Sequence, residues 1–323
     1  MKKISLTGAL MLVILSLSVA QSRRINFQAP QLYPEGITYD QQKKLFYVGS
    51  VRTGAIGSVD EQGNYKEIYK SNDLISSFGM KVVPATTRLW ICLSDQNPLY
   101  SIYSSPSTLK KMARVIAIDL KTNKKVADVD LASLYNGPHF LNDLTYDTKG
   151  NLYITDSFSP VIYKIDQSGK ASIFAQNELF RSAATGLNGI VFHPSGFLLA
   201  VNNGDGTILK IAVNNPSDVQ KVAVDRLFSG GDGLIIDKQN RLLIAQNKGI
   251  NKVSCLESID NWKSAKVIAA TDAYARFQFP STIALQNDKI WVLNAKLDEL
   301  KAKNNPPPSK TFFIQQVELK AAK

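Results

Sequence analysis

The sequence predicts an all-β protein, a six-bladed β-propeller with four antiparallel strands in each blade. Three observations predict it: one short phrase recurs six times, a turn and a second β-run follow each copy, and the copies are spaced as propeller blades are. The chain has 323 residues, of which 44% are hydrophobic and 20% are charged. That size and composition suit one large all-β domain with a real hydrophobic core.

The recurring phrase begins with a polar or aromatic residue and continues as a short β-run. One copy, at residues 188–193, reads Asn-Gly-Ile-Val-Phe-His. The six copies start at Glu35, Phe78, Asn142, Asn188, Asp232 and Ser281. The intervals between these starts are 43, 64, 46, 44 and 49 residues. Two stacked β-sandwiches, the alternative all-β arrangement, would not explain one phrase that recurs six times.

Each phrase is followed by a turn and further β-runs. Residues 148–150, Thr-Lys-Gly, lead into the β-run 151–155, and similar Gly, Asn and Pro turns follow other copies. A third strand and a more polar fourth run complete each unit. The last unit shows only three clear strands, ending in Thr311–Leu319. We expect Arg24–Gln28 to supply its fourth strand, which would close the ring and remove the open sheet edges.

Residues 1–20 have the pattern of a secretory signal peptide. A Met-Lys-Lys start precedes an apolar run, and small residues end that run at Ala20. We therefore expect residues 21–323 to form a single propeller domain, exported to the periplasm or out of the cell. An uncleaved membrane anchor is the alternative. No second apolar run of spanning length follows, so we expect no membrane span after signal cleavage.

The chain is basic, with a formal net charge of +11. Its lysines are scattered in pairs rather than gathered in one run, and few of these pairs have aromatic neighbours placed for stacking on bases. We therefore expect a solvated basic surface and no nucleic-acid partner. The two cysteines, Cys92 and Cys255, lie in strand-like runs of different repeats, and we expect two buried free thiols.

The first residue of each phrase enters the innermost strand of its blade, beside the central axis. Near-sixfold rotation therefore brings these residues to one point. Four of the six are oxygen donors, and two carboxylates there would repel each other without a cation. This set predicts one divalent ion, with Ca²⁺ as the first choice and Mg²⁺ or Mn²⁺ as alternatives. The predicted ligands are Glu35, Asn142, Asn188 and Asp232. The alternative is that Asn and Asp make turn hydrogen bonds, which explains a Glu poorly.

The loops that leave the second strand of each blade lie on the same face as this point. Arg52, Asp156 and Asn202 lie in these loops, and we expect them to contact a small-molecule substrate. Two of the loops are long, Pro98–Met112 and Ala295–Lys310, and we expect them to be lids or specificity loops. The other polar residues of these loops, such as Ser157 and Asn203, are ordinary loop residues in about half of the cases.

We expect the two histidines to lie on opposite faces of the propeller. His193 stands where other repeats have the Asp of the first hairpin turn, on the opposite face, so we expect a structural role. His139 lies three residues before Asn142 and approaches the predicted ion. For His139, an acid–base or supporting role and a purely structural role are equally open.

Four short segments resemble the senescence marker protein/gluconolactonase family, which is also called regucalcin-like. They read Glu-Gly at 35–36, Leu-Asn-Asp at 141–143, Leu-Asn-Gly at 187–189 and Gly-Asp-Gly at 231–233. The resemblance covers nearly all of residues 21–323. It implies a six-bladed propeller with a divalent metal held by the matching Glu, Asn and Asp positions, and its members include calcium- or zinc-dependent lactonases. Zn²⁺ therefore joins the alternatives.

A more distant likeness links the chain to paraoxonase-type and strictosidine-synthase-like propellers. Paraoxonase-type enzymes share the Leu-Asn-Asp phrase and use two histidines near the metal. Only His139 lies on that face here, which argues against a two-histidine mechanism.

These observations favour a metal-dependent hydrolase of a small cyclic ester, a lactone. Asp232 is the expected general base and His139 the alternative, while Arg52 would anchor an anionic group of the substrate. The rival hypothesis is a non-catalytic exported propeller, in which a structural metal fixes the blades and the face binds a ligand or a protein partner.

Overall fold

A computed structural model of the chain describes residues 23–304 and 307–322. The predicted signal peptide lies outside the described residues. The described chain forms six antiparallel sheets, with strands A to D running in order from the axis outward in each. The predicted six-bladed propeller is therefore confirmed.

The first three blades follow one another without interruption. Blade 1 has strands Ile37–Asp40, Leu45–Gly49, Ile56–Val59 and Tyr65–Tyr69. Blade 2 has strands Ser76–Val83, Arg88–Ser94, Ala113–Asp119 and Lys124–Asp130. Blade 3 has strands Leu141–Tyr146, Leu152–Asp156, Val161–Ile165 and Ala171–Gln176.

The last three blades bring the chain back to its start. Blade 4 has strands Leu187–His193, Phe197–Asn202, Ile208–Ala212 and Val219–Lys221. Blade 5 has strands Gly231–Ile236, Leu242–Gln246, Lys252–Glu257 and Lys266–Ala270. Blade 6 has strands Pro280–Gln286, Lys289–Asn294, Thr311–Val317 and Arg24–Gln28. Short 3₁₀ turns are the only helical elements of the described residues.

The ring is closed by the N-terminal strand. Arg24–Gln28 pairs antiparallel with Thr311–Val317, from Arg24 opposite Gln315 to Gln28 opposite Thr311. This confirms the predicted closure. A short strand that the sequence pattern did not predict, Lys320–Ala321, adds a fifth member to the sheet of blade 5. Arg24–Gln28 thereby covers the edge of Thr311–Val317 that would otherwise be free, and the two ends of the chain are held in one sheet.

Close packing at the axis explains the glycine that follows the first residue of most phrases. A Cβ at Gly36 would lie 2.1 Å from the carbonyl oxygen of Phe78, and one at Gly189 would lie 2.0 Å from that of Asp232. Real Cβ atoms do not approach this closely. The recurring glycine is therefore a requirement of neighbouring A strands that nearly touch at the axis.

The hydrophobic core fills the spaces between neighbouring sheets, where large side chains such as Trp291 and Tyr163 are completely buried. Cys92 and Cys255 are both buried and free, as predicted. None of the described helices has the length and apolar character needed to cross a membrane.

The hairpin turn between strands A and B is held by an aspartate side chain in blades 1, 3 and 5. In blade 3, Asp147 Oδ1 accepts hydrogen bonds from the backbone N–H groups of Lys149 and Asn151, both at 2.9 Å. In blade 4, His193 Nδ1 accepts from the N–H of Ser195 at 3.1 Å in the same way. Burial lowers the pKa of His193, which favours the neutral ring that this bond needs. The contacts of His193 are thus those of a turn residue.

Candidate functional site

The first residues of the six phrases lie in a ring around the central axis. Near this ring, hydroxyl groups form hydrogen bonds between neighbouring blades. Ser281 Oγ and Thr282 Oγ1 of blade 6 donate to the backbone carbonyl of Glu35 in blade 1, at 2.7 and 2.8 Å. Thr155 Oγ1 of blade 3 donates to that of Asn188 in blade 4 at 2.7 Å. We call these six residues the A ring. Its members are Glu35, Phe78, Asn142, Asn188, Asp232 and Ser281.

The predicted metal ligands are all buried in this ring, with Glu35 5%, Asn142 2%, Asn188 5% and Asp232 4% exposed. Two of them carry charge close together. Burial raises the pKa of Glu35 well above its usual range, and the charges of Asp232 and Asp143 raise that pKa further. Burial and the charge of Asp143 likewise raise the pKa of Asp232. The axis is therefore a buried, electronegative well.

Asp143 is the third carboxylate of this well. It follows Asn142 in strand A of blade 3, at a position where four of the other blades have glycine and the fifth has threonine. Its Oδ1 lies 3.8 Å from Lys81 Nζ of blade 2 and accepts the N–H of Leu144 at 2.8 Å. Burial nevertheless raises the pKa of Asp143. Lys81 therefore offsets part of the charge of the three buried acids.

Two buried oxygen atoms of the site have no hydrogen-bond partner among the residues that the structure describes. They are Glu35 Oε2 and Asn247 Oδ1. A buried acceptor without a donor costs free energy, about 1–3 kcal/mol for a neutral group and more for a charged one. Such acceptors in a native fold point to a missing donor or cation.

Neighbouring groups orient the amide of Asn142. The hydroxyl of Ser157 donates its hydrogen to the carbonyl of Leu187, at 2.5 Å. The same hydroxyl must therefore accept from Asn142 Nδ2, which lies 2.9 Å away. With its nitrogen fixed in this way, Asn142 presents its oxygen as the free end of the amide.

The same device recurs in the next two blades. Asn203 Nδ2 donates to the carbonyl of Gly231 at 2.9 Å, and its oxygen accepts from Lys248 Nζ. Asn247 Nδ2 donates to Asp232 Oδ2, which leaves its own oxygen unpaired. These residues directly follow the end of strand B in blades 4 and 5. The amide donors of both residues are used within the protein, and the oxygen of Asn247, unlike that of Asn203, remains free for a ligand.

The two long loops meet over the well. Tyr100 belongs to the predicted lid Pro98–Met112 and is 4% exposed, and the charges of Asp232 and Glu35 help burial to raise its pKa. Lys301 belongs to the predicted lid Ala295–Lys310, and its Nζ lies 4.7 Å from the centre of the Tyr100 ring. The loops therefore lie over the A ring from blades 2 and 6.

Polar contacts anchor both loops to blade 1 and to the segment that leads into its first strand. Arg52 Nη1 donates to the carbonyls of Leu99 and Tyr100, at 3.2 and 3.3 Å. Tyr33 Oη donates to Glu299 Oε2 at 3.0 Å in the second loop. Arg52 thus holds the first lid, while its Nε–H is buried with no partner among the described residues. This unpaired donor is available for the predicted substrate contact.

Asp156 ends strand B of blade 3 and has every part of its carboxylate in use. It is completely buried, and its Oδ1 accepts the N–H groups of Phe140 and Ser159 at 2.9 and 3.2 Å. Its Oδ2 lies 2.7 Å from His139 Nδ1 and 3.4 Å from Tyr163 Oη. These contacts organise the loop. Substrate binding by Asp156 stays a prediction to which these contacts give no support.

His139 is 3% exposed and belongs to this cluster rather than to the carboxylate well. Burial works against its charge, but the hydrogen bond and the charge of Asp156 outweigh burial and raise the pKa of His139. The backbone carbonyls of Ala132 and Tyr135 act in the same direction. Its contacts suit a positioning role for the chain that leads into strand A of blade 3, and an acid–base role stays a prediction.

Asn202 repeats the behaviour of Asp156 one blade later. It is completely buried, and its Nδ2 donates to the carbonyls of Leu179 and Arg181, at 3.2 and 2.8 Å. Its Oδ1 accepts the N–H of Gly204 at 3.1 Å. Its predicted contact with a substrate therefore gains no support either.

Four residues that the structure places at the site were not predicted from the sequence to be site residues. Lys81 and Asp143 lie inside strands, and Tyr100 and Lys301 lie in the two long loops. The phrase itself carried a signal for Asp143, because that position is glycine in four of the six copies. No comparable signal marks a lysine or a tyrosine whose place depends on how a long loop folds.

No protein-family model and no curated protein sequence matches this chain. Solved structures match nearly its whole length. The major allergen Mala s 1 of Malassezia sympodialis has a TM-score of 0.73 at 18% identity, with 92% of this chain and 96% of that chain covered. A luciferin-regenerating enzyme has a TM-score of 0.62 at 14% identity, covering 92% and 97%. A protein proposed to be a gluconolactonase has 0.61 at 14%, covering 95% of each chain.

At identities this low, the likeness shows the propeller fold alone. The protein proposed to be a gluconolactonase carries the name of the family that the sequence resembles. Membership of that family stays a prediction for this chain, and its chemistry has to be argued from the A ring itself.

Proposed function

We propose that this chain is a hydrolase of a small cyclic ester, dependent on one divalent cation held by Glu35, Asn142, Asn188 and Asp232. The observation that carries the proposal is the buried pair of carboxylates, Glu35 and Asp232, with Glu35 Oε2 lacking any partner among the described residues. Two acids with raised pKa values at one point are what a cation would stabilise.

The donor set suits a hard divalent cation, of which Ca²⁺ is our first choice. Two carboxylates and two amides supply only oxygen. Ser157 fixes the Asn142 amide so that its oxygen is free, and second contacts of this kind orient ligands in metal sites. A single ion would also remove the cost of the unpaired Glu35 oxygen. The residues present therefore fit the cation.

When bound, the cation would supply a Lewis acid for the ester carbonyl and the attacking water. Asp232 would accept the proton of that water, because its carboxylate is held at the well by Asn247 Nδ2. Tyr100 and Lys301 would exclude bulk water from above. His139 remains the alternative base, and the unpaired Nε–H of Arg52 would be available for an anionic group of the substrate.

The test is hydrolysis of a panel of lactones by purified protein stripped with a chelator and reloaded with Ca²⁺, Mg²⁺, Mn²⁺ or Zn²⁺. We expect activity that the chelator abolishes and a divalent ion restores. Hydrolysis that is equally fast in the chelator would contradict the metal part of the proposal, and no hydrolysis under any condition would contradict the catalytic part.

Asp232→Asn sharpens this test, because it keeps a side chain of the same size and one oxygen donor. At saturating metal we expect a loss of turnover of about 10²–10⁴-fold, the usual contribution of a general base. His139→Gln is the companion variant. An equal loss in His139→Gln would assign the proton transfer to the His139–Asp156 pair instead.

The rival hypothesis, a non-catalytic propeller with a structural ion, has one observation in its favour. Every predicted ligand is at most 5% exposed, and Tyr100 covers the well. An enclosed ion of this kind could serve only to hold the blades together. A melting temperature that rises with Ca²⁺, without hydrolysis of any lactone, would favour this rival.

We also propose that the protein acts outside the cytoplasm on a small molecule, with neither nucleic acid nor membrane as partner. The pattern of residues 1–20 supports export. The measurement is the intact mass of protein recovered from the periplasm or the medium. A mass that still includes Met1 would contradict cleavage of a signal peptide.

A further inference from the structure

Lys248 reaches across the boundary between blades 4 and 5. It follows Asn247 in the turn after strand B of blade 5, and its ammonium donates to Asn203 Oδ1 of blade 4. Asn203 cannot turn away from this contact without breaking its own bond to the Gly231 carbonyl. The ammonium is therefore held at a fixed, buried acceptor, and the preceding residue, Asn247, donates to the carboxylate of Asp232.

The electrostatic link to Asp232 is visible from both sides. The charge of Lys248 lowers the pKa of Asp232 against burial, and the charge of Asp232 supports the pKa of Lys248 against burial. No salt bridge joins the two groups in the described part of the chain. Lys248 thus acts on Asp232 through space, with Asn203 as its direct contact.

The balance of charges in the well shows what Lys248 contributes there. Three acids, Glu35, Asp143 and Asp232, face two lysines, Lys81 and Lys248. Lys81 lies 3.8 Å from Asp143, so Lys248 is the cation on the Asp232 side. Once the three acids are ionised to hold a divalent ion, that ion turns a shortage of positive charge into an excess. One positive charge would then have to leave, and Lys248 is an exposed residue whose side chain can move into water.

We propose that Lys248 is a tethered counter-ion of the axial well, which neutralises the Asp232 side while no divalent ion is bound and leaves Asn203 when an ion enters. The inference rests on the cation site of the proposed function. It assigns to that site a built-in competitor, so the affinity for the ion is lower than the ligands alone would give. It also assigns Asn203 Oδ1 as an acceptor that becomes free once Lys248 withdraws.

The decisive variant is Lys248→Met, which keeps the length of the side chain and removes its charge. Without the competing charge we expect Ca²⁺ to bind at least about tenfold more tightly. Lys252→Met is the matched control, because Lys252 lies in the same blade and has no ion pair among the described residues. The affinity of Lys252→Met should stay close to that of the unaltered protein. Both variants lose one positive charge, so a general effect of net charge on Ca²⁺ affinity would be the same in both.

Calorimetric titration of chelator-stripped protein with CaCl₂ measures the three affinities directly. Tighter binding in Lys248→Met alone supports the counter-ion. Equal binding in all three proteins overturns it while leaving the proposed cation site intact. Binding by Lys248→Met but not by the unaltered protein would support the counter-ion and overturn metal dependence of the natural protein. Absence of binding in all three overturns both.

Melting in the presence of chelator gives a second readout that needs no bound ion. Lys248→Met should melt below Lys252→Met there, because Asp232 then lacks its counter-ion. If the two variants melt together in chelator, Lys248 does not neutralise the well, and the proposal fails.

Discussion

Two rings of polar residues share one face of the propeller and differ in what their atoms do. The A ring stands where strand A begins. A second ring, which we call the B-end ring, stands where strand B ends, and its members are Ser50, Asp95, Asp156, Asn202, Gln246 and Asn294. Both rings are buried and both are rich in oxygen donors. Only their hydrogen bonding distinguishes them.

The B-end ring uses most of its polar atoms in hydrogen bonds that hold the fold together, although Asp95 Oδ1 has no partner among the described residues. Asn294 Oδ1 accepts the N–H of Gln278 at 2.7 Å, and Ser50 Oγ donates to the carbonyl of Leu32 at 2.7 Å. In the A ring, Glu35 Oε2 accepts nothing from the described residues. Satisfied groups of this kind stabilise a fold, while unsatisfied ones are retained where function needs them. Apart from Asp95, the B-end ring therefore has the contacts of a stabilising network, and the A ring has the contacts expected of a ligand site.

The largest effect that would test this separation is expected for Asp156→Ala. The change leaves backbone N–H groups and the His139 ring buried without their acceptor. Breaking a buried charged network typically costs about 3–5 kcal/mol, which we expect as a loss in the free energy of unfolding. Urea titration measures it.

The affinity of Asp156→Ala for Ca²⁺, measured below its unfolding transition, should stay within about threefold of the original. A variant of normal stability that no longer binds the ion would place Asp156 in the site and undo the distinction between the rings.

Glu35→Gln should behave in the opposite way. The change removes one of three buried negative charges that repel each other, so we expect the protein in chelator to gain about 1 kcal/mol of stability. The rise in melting temperature on adding Ca²⁺ should disappear, because a charged ligand is lost. Differential scanning calorimetry with chelator and with Ca²⁺ measures both effects.

Asn188→Ala is the milder companion of Glu35→Gln, because it removes a neutral donor. It should weaken Ca²⁺ binding less than Glu35→Gln does. The reverse order would mean that the amides, rather than the carboxylates, dominate the site.

The fold and the A ring could be predicted from the sequence because both depend on the recurring phrase. A phrase that recurs at blade spacing fixes the number of blades, and its first position fixes which side chains share the axis. The closure by Arg24–Gln28 followed from counting strands in the last unit. His193 could be separated from the site because it occupies the place of a turn aspartate.

The sequence could not separate the B-end ring from its neighbours. Asp156 and Ser157 are adjacent and both polar, yet only Ser157 contacts a member of the A ring. Side chains of successive strand residues point to opposite faces, so a shift of one position decides the outcome. Lys248, Tyr100 and Lys301 depend on the paths of loops, for which the sequence holds no repeat.

A substitution in the loop Pro98–Met112 tests the same comparison, with a smaller expected effect. Tyr100→Ala should open the well without removing a ligand, so Ca²⁺ affinity should change by less than about threefold. The range of lactones accepted should widen, because the ring that covers the A ring is gone. Tyr103→Ala is the matched control, since Tyr103 lies in the same loop and is exposed. Release of the ion from Tyr100→Ala would make the loop part of the site rather than its cover.

The smallest expected effect contrasts the two histidines, His139 beside the B-end ring and His193 in a turn on the opposite face. The folded protein raises the pKa of His139, mainly through Asp156, whereas burial lowers the pKa of His193. An unfolded histidine has a pKa of about 6.5. The contribution of His139 to stability is therefore complete below about pH 6.5 and lost as pH rises through its folded pKa. That of His193 is complete above about pH 6.5 and lost as pH falls through its folded pKa.

Melting temperatures of His139→Gln and His193→Gln, each subtracted from that of the unaltered protein between pH 5 and 9, should thus change in opposite directions with pH. For His139 the difference should be largest at the acidic end, and for His193 at the alkaline end. We expect each difference to vary by about 2–4 °C at most. If the two curves ran parallel, the His139–Asp156 contact would carry no charge in the folded protein. The B-end ring would then be stabilised there by neutral hydrogen bonds alone, and Asp156→Asn should cost little.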